Sequence, residues 1–215
     1  MFSRHRKTDH ADSLVPLAEA IADAFETIGD QRAAHDVLEF AARHGVSDGL
    51  ALRQAEHAFA AGDANRALNA LIPAWEAGST DVHLEAQMGL ASLALGLYDV
   101  VETLTAQDMP TLEHTVLRWL LAVWDDLEKP VLDLESVQVV WLMRAQLMTL
   151  AHCGRTDLVY RVVEVVDALG ADTLKTQLES IPATEPANGR PAALPIDARE
   201  PFAEQWRHPA HDAVF

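Results

Sequence analysis

Small and apolar residues recur at intervals of three and four along most of this chain. Leu14, Leu17, Ile21, Phe25 and Ile28 make one such stripe, and Ala34, Val37, Leu38 and Ala41 make the next. The spacing follows the 3.6-residue turn of an α-helix, so each stretch predicts a helix that buries one face. Gly29 falls between them, and glycine accepts the positive φ that closes a helix. The pair is therefore expected to fold as two antiparallel helices joined by a glycine turn.

The same unit returns. Gly29-Asp30-Gln31-Arg32-Ala33-Ala34 reappears 33 residues later as Gly62-Asp63-Ala64-Asn65-Arg66-Ala67. Under that offset Leu38 overlays Leu71, Ala41 overlays Ala74, Gly45 overlays Gly78 and Asp48 overlays Asp81. Gly96 lies 34 residues beyond Gly62 and is followed by Leu97, Tyr98 and Asp99. Gly154 and Gly170 repeat the 16-residue spacing of Gly29 and Gly45. Four helix pairs are marked in this way, and a period of this length is the signature of stacked helical hairpins. Small residues at Ala55, Ala67 and Gly89 would let neighbouring helix backbones approach closely.

Two regions depart from the repeat. From about Pro110 to Glu128 a helix is expected that carries Val116, Leu117, Trp119, Leu120, Leu121, Val123 and Trp124, apolar on more than one face. A second helix follows a loop at Lys129-Pro130 and carries Val137, Val140, Trp141, Met143, Leu147 and Met148. Helices apolar nearly all round are buried. Either they form the thick centre of the stack, or Trp119, Trp124 and Trp141 contribute to a dimer or partner interface. Beyond Ile181, six of the ten prolines fall at positions 182, 186, 191, 195, 201 and 209, which precludes a long helix there. That tail carries Phe202, Trp206 and Phe215. It reads either as a solvated tail with incidental rings or as a segment that docks on its own groove or on a neighbour.

Charge narrows the function classes. The 215 residues are 49% hydrophobic and 23% charged, with a net charge of −17 and a mean hydropathy of zero. These values suit a soluble globular protein with one substantial core. Residues 13–182 hold −16 of that charge, and the chain has three lysines. Such a field repels phosphate backbones, so no nucleic-acid partner is expected. No apolar run reaches the roughly 18 residues of a membrane span, and no signal peptide is visible, so no membrane insertion and a cytoplasmic setting are expected. Cys153 is the only cysteine, which excludes an internal disulfide and a multi-cysteine metal site.

Candidate chemistry is sparse. His35, His57 and His83 fall in three predicted helices without a second histidine at helical spacing. His208, His211 and Asp212 cluster in the proline-rich tail with no scaffold to fix their geometry. His152 and Cys153 are adjacent and so point about 100° apart on a helix. Phosphate-binding loops and nucleophile elbows are absent. No catalytic residue, metal or cofactor is expected, and Asp125-Asp126 reads as solvated charge near a helix end.

The pattern resembles the tetratricopeptide repeat. The family's small positions match Ala55, Ala67 and Ala74 in the second unit, and the third unit matches the family pattern through Gly89, Gly96 and Tyr98. The large aromatic expected early in each first helix and the closing proline are missing, and Pro73 falls inside a predicted second helix, where it should cost roughly 3 kcal/mol or kink the chain. The resemblance implies an all-α, right-handed α-α solenoid of about four to five hairpins over 13–182. A basic N-terminus over 1–12 precedes it and a proline-rich, largely irregular tail over 183–215 follows. It also implies that first helices line a concave groove, with Glu19, Asp23 and Glu26 from the first unit, Arg53, Glu56 and Phe59 from the second, and His83, Gln87 and Leu90 from the third. The family's carboxylate clamp of lysines and asparagines has no counterpart at these nine positions. An acidic groove for a basic or amphipathic segment of another protein is expected instead, as in an adaptor, chaperone or assembly factor. The alternatives are a structural subunit of a homo-oligomer or larger complex, built on the Trp-rich helices and the tail, and a metal-dependent enzyme.

Overall fold

A computed structural model of the chain describes residues 8–42, 47–106 and 110–183. Among them are ten helices and no strand. They are α1 (Thr8–Thr27), α2 (Gln31–Ala42), α3 (Asp48–Ala60), α4 (Ala64–Glu76), α5 (Val82–Leu95), α6 (Tyr98–Thr105), α7 (Leu112–Asp125), α8 (Val137–His152), α9 (Thr156–Ala168) and α10 (Asp172–Leu178). Phe202, Trp206 and Phe215, like the 208–212 cluster, lie outside the described residues.

The repeated Gly-Asp pair has a local mechanical meaning. Gly62 takes φ +75° and ends α3, with the Gly62 N–H donating to Phe59 O at 2.9 Å and the Asp63 N–H donating to Ala58 O at 2.9 Å. The Asp63 carboxylate then accepts from the Arg66 N–H at 2.9 Å and caps α4. One residue stops a helix and the next starts another, which satisfies orphan backbone groups on both sides of the turn. Gly29 and Asp30 do the same between α1 and α2, where Asp30 accepts from the Ala33 N–H at 3.0 Å.

Helix α4 continues for three residues past Pro73. Pro73 and Asn69 are both exposed, so the Asn69 carbonyl that loses its helical partner lies where water can reach it.

Consecutive helices from α1 to α7 each pack on the next, and α3, α5, α7 and α9 touch in that order. At Gly89 a Cβ would sit 3.0 Å from a Leu117 methyl carbon, so the expected small position is where α5 meets α7 closely. Helix α8 leaves the sequential order. It packs against α3 and α5 as well as α7, α9 and α10. Its C-terminal end presses on the α3–α4 turn, where a Cβ at Gly62 would lie 2.7 Å from the His152 carbonyl oxygen. An uninterrupted stack would confine each unit to contacts with its neighbours. The connection over 126–136 lets α8 turn back instead, beginning where Asp126 takes φ +55° at the end of α7.

The core is in two parts. One joins α3 to α10 and contains Trp119 and Trp124 together with Met88, Leu117 and Met143. Among the described residues the other holds Ala18, Ala22, Ala34, Leu38, Ala41 and Leu50 under α1 and α2, with Leu14, Val15, Phe25, Val37 and Ala42 partly buried against them. Of the two readings for the Trp-rich helices, α7 follows the first, because Trp119 and Trp124 are buried and cannot present an interface. Around Trp124 the guanidinium of Arg155 stacks 4.9 Å from the ring centroid and that of Arg161 5.0 Å from it. Arg155 itself is buried and donates from Nη1 to Leu93 O at 2.6 Å and from Nη2 to the Tyr98 hydroxyl at 3.3 Å. Arg155 Nε also donates to Asp157 at 3.1 Å. Helix α8 divides between the two readings. Val139, Met143, Leu147 and Leu150 are buried, whereas Trp141 is 70% exposed and Met148 is exposed beside it on the helix surface.

Candidate functional site: a cleft under helix 8

Because α8 lies along α3 and α5 without filling the space between them, an open cleft of about 540 Å³ remains. Helix α3 contributes Glu56 and Phe59, and α5 contributes His83, Gln87 and Leu90. These residues recur at three and four within each helix, so one face of each is turned to the cleft. Helix α7 adds Glu113 at one end. The opposite wall is α8, with Trp141, Gln146 and Met148 among its contributions and His152 at its C-terminal end.

Five of the nine expected groove residues, Glu56, Phe59, His83, Gln87 and Leu90, are thus brought together. Glu19, Asp23, Glu26 and Arg53 are not. Arg53 donates to Asp23, and to Glu26 at 3.1 Å, while His57 Nε2 lies 2.6 Å from the same Glu26 carboxylate. The hydrogen bond to Asp23 is the main reason that Arg53 titrates above its ordinary range. This network bridges α1 to α3, and Asp23 and Glu26 already have cationic partners. The expected acidic groove is corrected accordingly: of its four carboxylates, Glu56 alone faces the cleft, where Glu113 joins it.

The cleft's polar groups are unevenly satisfied. His83 Nδ1 lies 3.2 Å from Glu113 Oε1 and ties α5 to α7 at the rim. The Thr149 hydroxyl is spent on the Ala145 carbonyl at 3.2 Å. Gln146 is only 7% exposed, and its Oε1 has no hydrogen-bond partner among the described residues. A buried acceptor left unpaired costs on the order of 1–3 kcal/mol. The cleft therefore combines the aromatic and aliphatic side chains of Phe59, Leu90, Trp141 and Met148 with carboxylates at Glu56 and Glu113. An occupant bearing a large apolar side chain next to a cation would match both features.

A second hollow of about 330 Å³ adjoins the first and shares Met148 and His152 with it. Arg144 and Ala151 form one side, and Ser180, Ile181 and Pro182 form the other. The last described stretch of chain therefore runs along the end of the cleft.

Among the described residues the cleft lining holds neither serine nor cysteine. Cys153, beside it in sequence, is half-buried, and burial first and the charge of Asp63 second push its thiol up, away from the reactive thiolate. Among the described residues no group of three or more His, Cys, Asp or Glu side chains could hold a metal ion. No described helix is long and apolar enough to cross a membrane.

The α8 wall was not legible as part of a groove. Trp141, Gln146 and Met148 lie in a stretch whose hydrophobic density predicts burial, and no repeat register links them to α3 or α5. Only the contact of α8 with those helices turns them inward. Comparison of the chain with protein-family models, with curated proteins and with solved structures gave no match.

Proposed function

We propose that this chain is a non-enzymatic protein-interaction module, an adaptor, chaperone or assembly factor. In this reading its helices form a right-handed α-α solenoid of about four to five tetratricopeptide-like hairpins, and the cleft between α3, α5 and α8 captures a basic or amphipathic segment of another protein. The carrying observation is Trp141, 70% exposed on α8 beside a cleft whose other walls bring Phe59 and Leu90 together. A large exposed aromatic flanking an apolar cleft is the kind of anchor that binding hot spots use. Glu56 and Glu113, with the acidic surface around them, steer the partner toward positive charge.

The test uses two labelled peptides of equal length, each with leucines and one tryptophan at helical spacing, one bearing lysines and the other glutamates on the opposite face. The lysine peptide should bind about tenfold or more tighter at low salt and lose that advantage as salt rises. Trp141→Ala and Phe59→Ala should each weaken it about tenfold. Because Trp141 is mostly exposed, its replacement should leave the urea midpoint in place. Equal binding of the two peptides, or binding indifferent to Trp141, would defeat the reading.

A second reading has its own observation. Leu17 and Ile21 are exposed on α1, and Ile28 is exposed just beyond its C-terminal end. That ridge fits the structural-subunit alternative, in which a second copy or a larger complex covers α1. Light scattering decides it: a dimer dispersed by Ile28→Lys supports the assembly, and a monomer over the same concentrations removes it.

A further inference from the structure

We propose that residues 199–208 of this same chain occupy the cleft, with Phe202 and Trp206 as anchors, so that the C-terminal tail competes with the partner segment. The inference rests on the cleft being a peptide site and goes on to name its resident occupant.

Three observations converge on it. First, the described chain ends at Ala183, directly after Ile181 and Pro182 line the hollow that shares Met148 and His152 with the cleft. The tail therefore starts at the mouth of the site. A random-coil chain of the 19 residue steps that separate Ala183 from Phe202 would span about 25 Å on average, comparable with the roughly 24 Å length of the 16-residue α8. Reach is no obstacle.

Second, the chemistry matches. Phe202 and Trp206 are four residues apart, the spacing that brings two rings to one side of a helical turn, and Pro201 stands where a first helical turn tolerates proline. The cleft supplies Phe59, Leu90, Trp141 and Met148 for the rings. Arg199 and Arg207 flank the rings, and Glu56 and Glu113 flank the cleft. Glu200 and Glu204 lie between the arginines, so apolar contact carries the docking and charge only trims it.

Third, tethering changes the affinity required. A segment joined by a short flexible connection is present at an effective concentration near the millimolar range. A contact too weak to hold a free peptide would still fill the site from within, and an external partner would have to displace it.

The experiment uses the full chain labelled with 13C at the methionine methyls. Met148 lies in the cleft, whereas Met88 and Met143 are wholly buried in the core. Phe202→Ala/Trp206→Ala should shift the Met148 resonance and leave Met88 and Met143 unmoved, which also certifies that the variant is folded. A synthetic peptide of residues 199–208 should return Met148 to its original position in that variant, and bind the unmodified chain about tenfold or more weakly, because the tethered copy is already in place. The Met148 resonance of the unmodified chain should not change on dilution. An unmoved Met148 in the double variant overturns the proposal, and so does a dilution-dependent resonance, which would assign the site to the tail of a second copy. If Met148 is unmoved while the lysine peptide still binds, the tail is excluded and the cleft reading survives. If neither peptide perturbs Met148, both fall.

Discussion

The first hairpin and the middle of the molecule solve the same packing problem with different materials. Under α1 and α2 the buried set is four alanines with Leu38 and Leu50, and a polar network of Arg53 and His57 with Asp23 and Glu26 completes the join to α3. From α5 to α9 the buried set includes Trp119, Trp124, Leu117, Leu120, Met88 and Met143, with Arg155 stacked over an indole. Alanine faces let backbones approach but remove little apolar surface from water, and partly exposed ion pairs add about 0–1 kcal/mol each. The first hairpin should therefore open before the rest, and the large core should hold the cleft walls rigid. The difference also explains where binding can sit: a cleft between α3, α5 and α8 is framed by the stronger half.

Three measurements press on that contrast. The largest effect should come from Trp124→Ala, which empties a fully buried ring position and unstacks Arg155 and Arg161. A loss of about 3–5 kcal/mol is expected in urea unfolding followed by circular dichroism, with the cleft lost along with the core. A loss below about 1 kcal/mol would show that the indole is not the centre of the large core.

Leu38→Ala is the counterpart in the small core. Its cost should be about 2–3 kcal/mol, at the low end for a buried leucine because alanine neighbours let the site relax. Hydrogen exchange should rise in α1 and α2 alone, while the Met148 methyl resonance stays in place. Faster exchange spreading equally through α5 and α7 would merge the two cores into one cooperative unit.

The smallest effect is a pH dependence shared by both regions. His35 on α2 and the wholly buried His114 on α7 both titrate below their ordinary value, first because burial disfavours the charged ring. Arg66 adds to that at His35, whereas Glu85 and Glu113 oppose it at His114. The His114 ring is also engaged by Thr111, whose Oγ1 lies 2.7 Å from Nδ1. The unfolded chain takes up these protons first, so the contribution of each ring is intact above about pH 6.5 and is lost as pH falls through the lower folded value. His114→Gln should flatten the fall in urea midpoint on going from about pH 7.5 to about 5.5, and His35→Gln should flatten it only for the exchange of α1 and α2. An unaltered slope in both variants would remove histidine burial as its cause.

Much of the local structure was legible. The Gly-Asp pair announces a stop and a cap at the first two hairpins, and the helices expected near 110–128 and after Lys129-Pro130 are α7 and α8 with trimmed ends. The nine groove positions were less legible. Register put Glu56, Phe59, His83, Gln87 and Leu90 on faces that the structure brings to one cleft, because a helical period propagates within one hairpin and into the next. It did not do so for Glu19, Asp23, Glu26 and Arg53, because a period states which way a side chain points and not which group it meets there. Trp141 was ambiguous for a related reason: composition marked its helix as apolar without saying which part of that surface would be covered.

From residue order alone come the helical periodicity of most of the chain, the glycine turns that punctuate it and the small residues at which helices close up, since all of these depend on neighbours a few positions away. The return of α8 across α3 and α5 joins residues about fifty to ninety positions apart. That contact converts an open face into a cleft and leaves Trp141 exposed, while Trp124 is covered by Tyr98, Arg155 and Arg161. Such features follow from the global minimum of packing, in which a helix apolar on several faces settles wherever the most surface leaves water, and no local pattern encodes that choice.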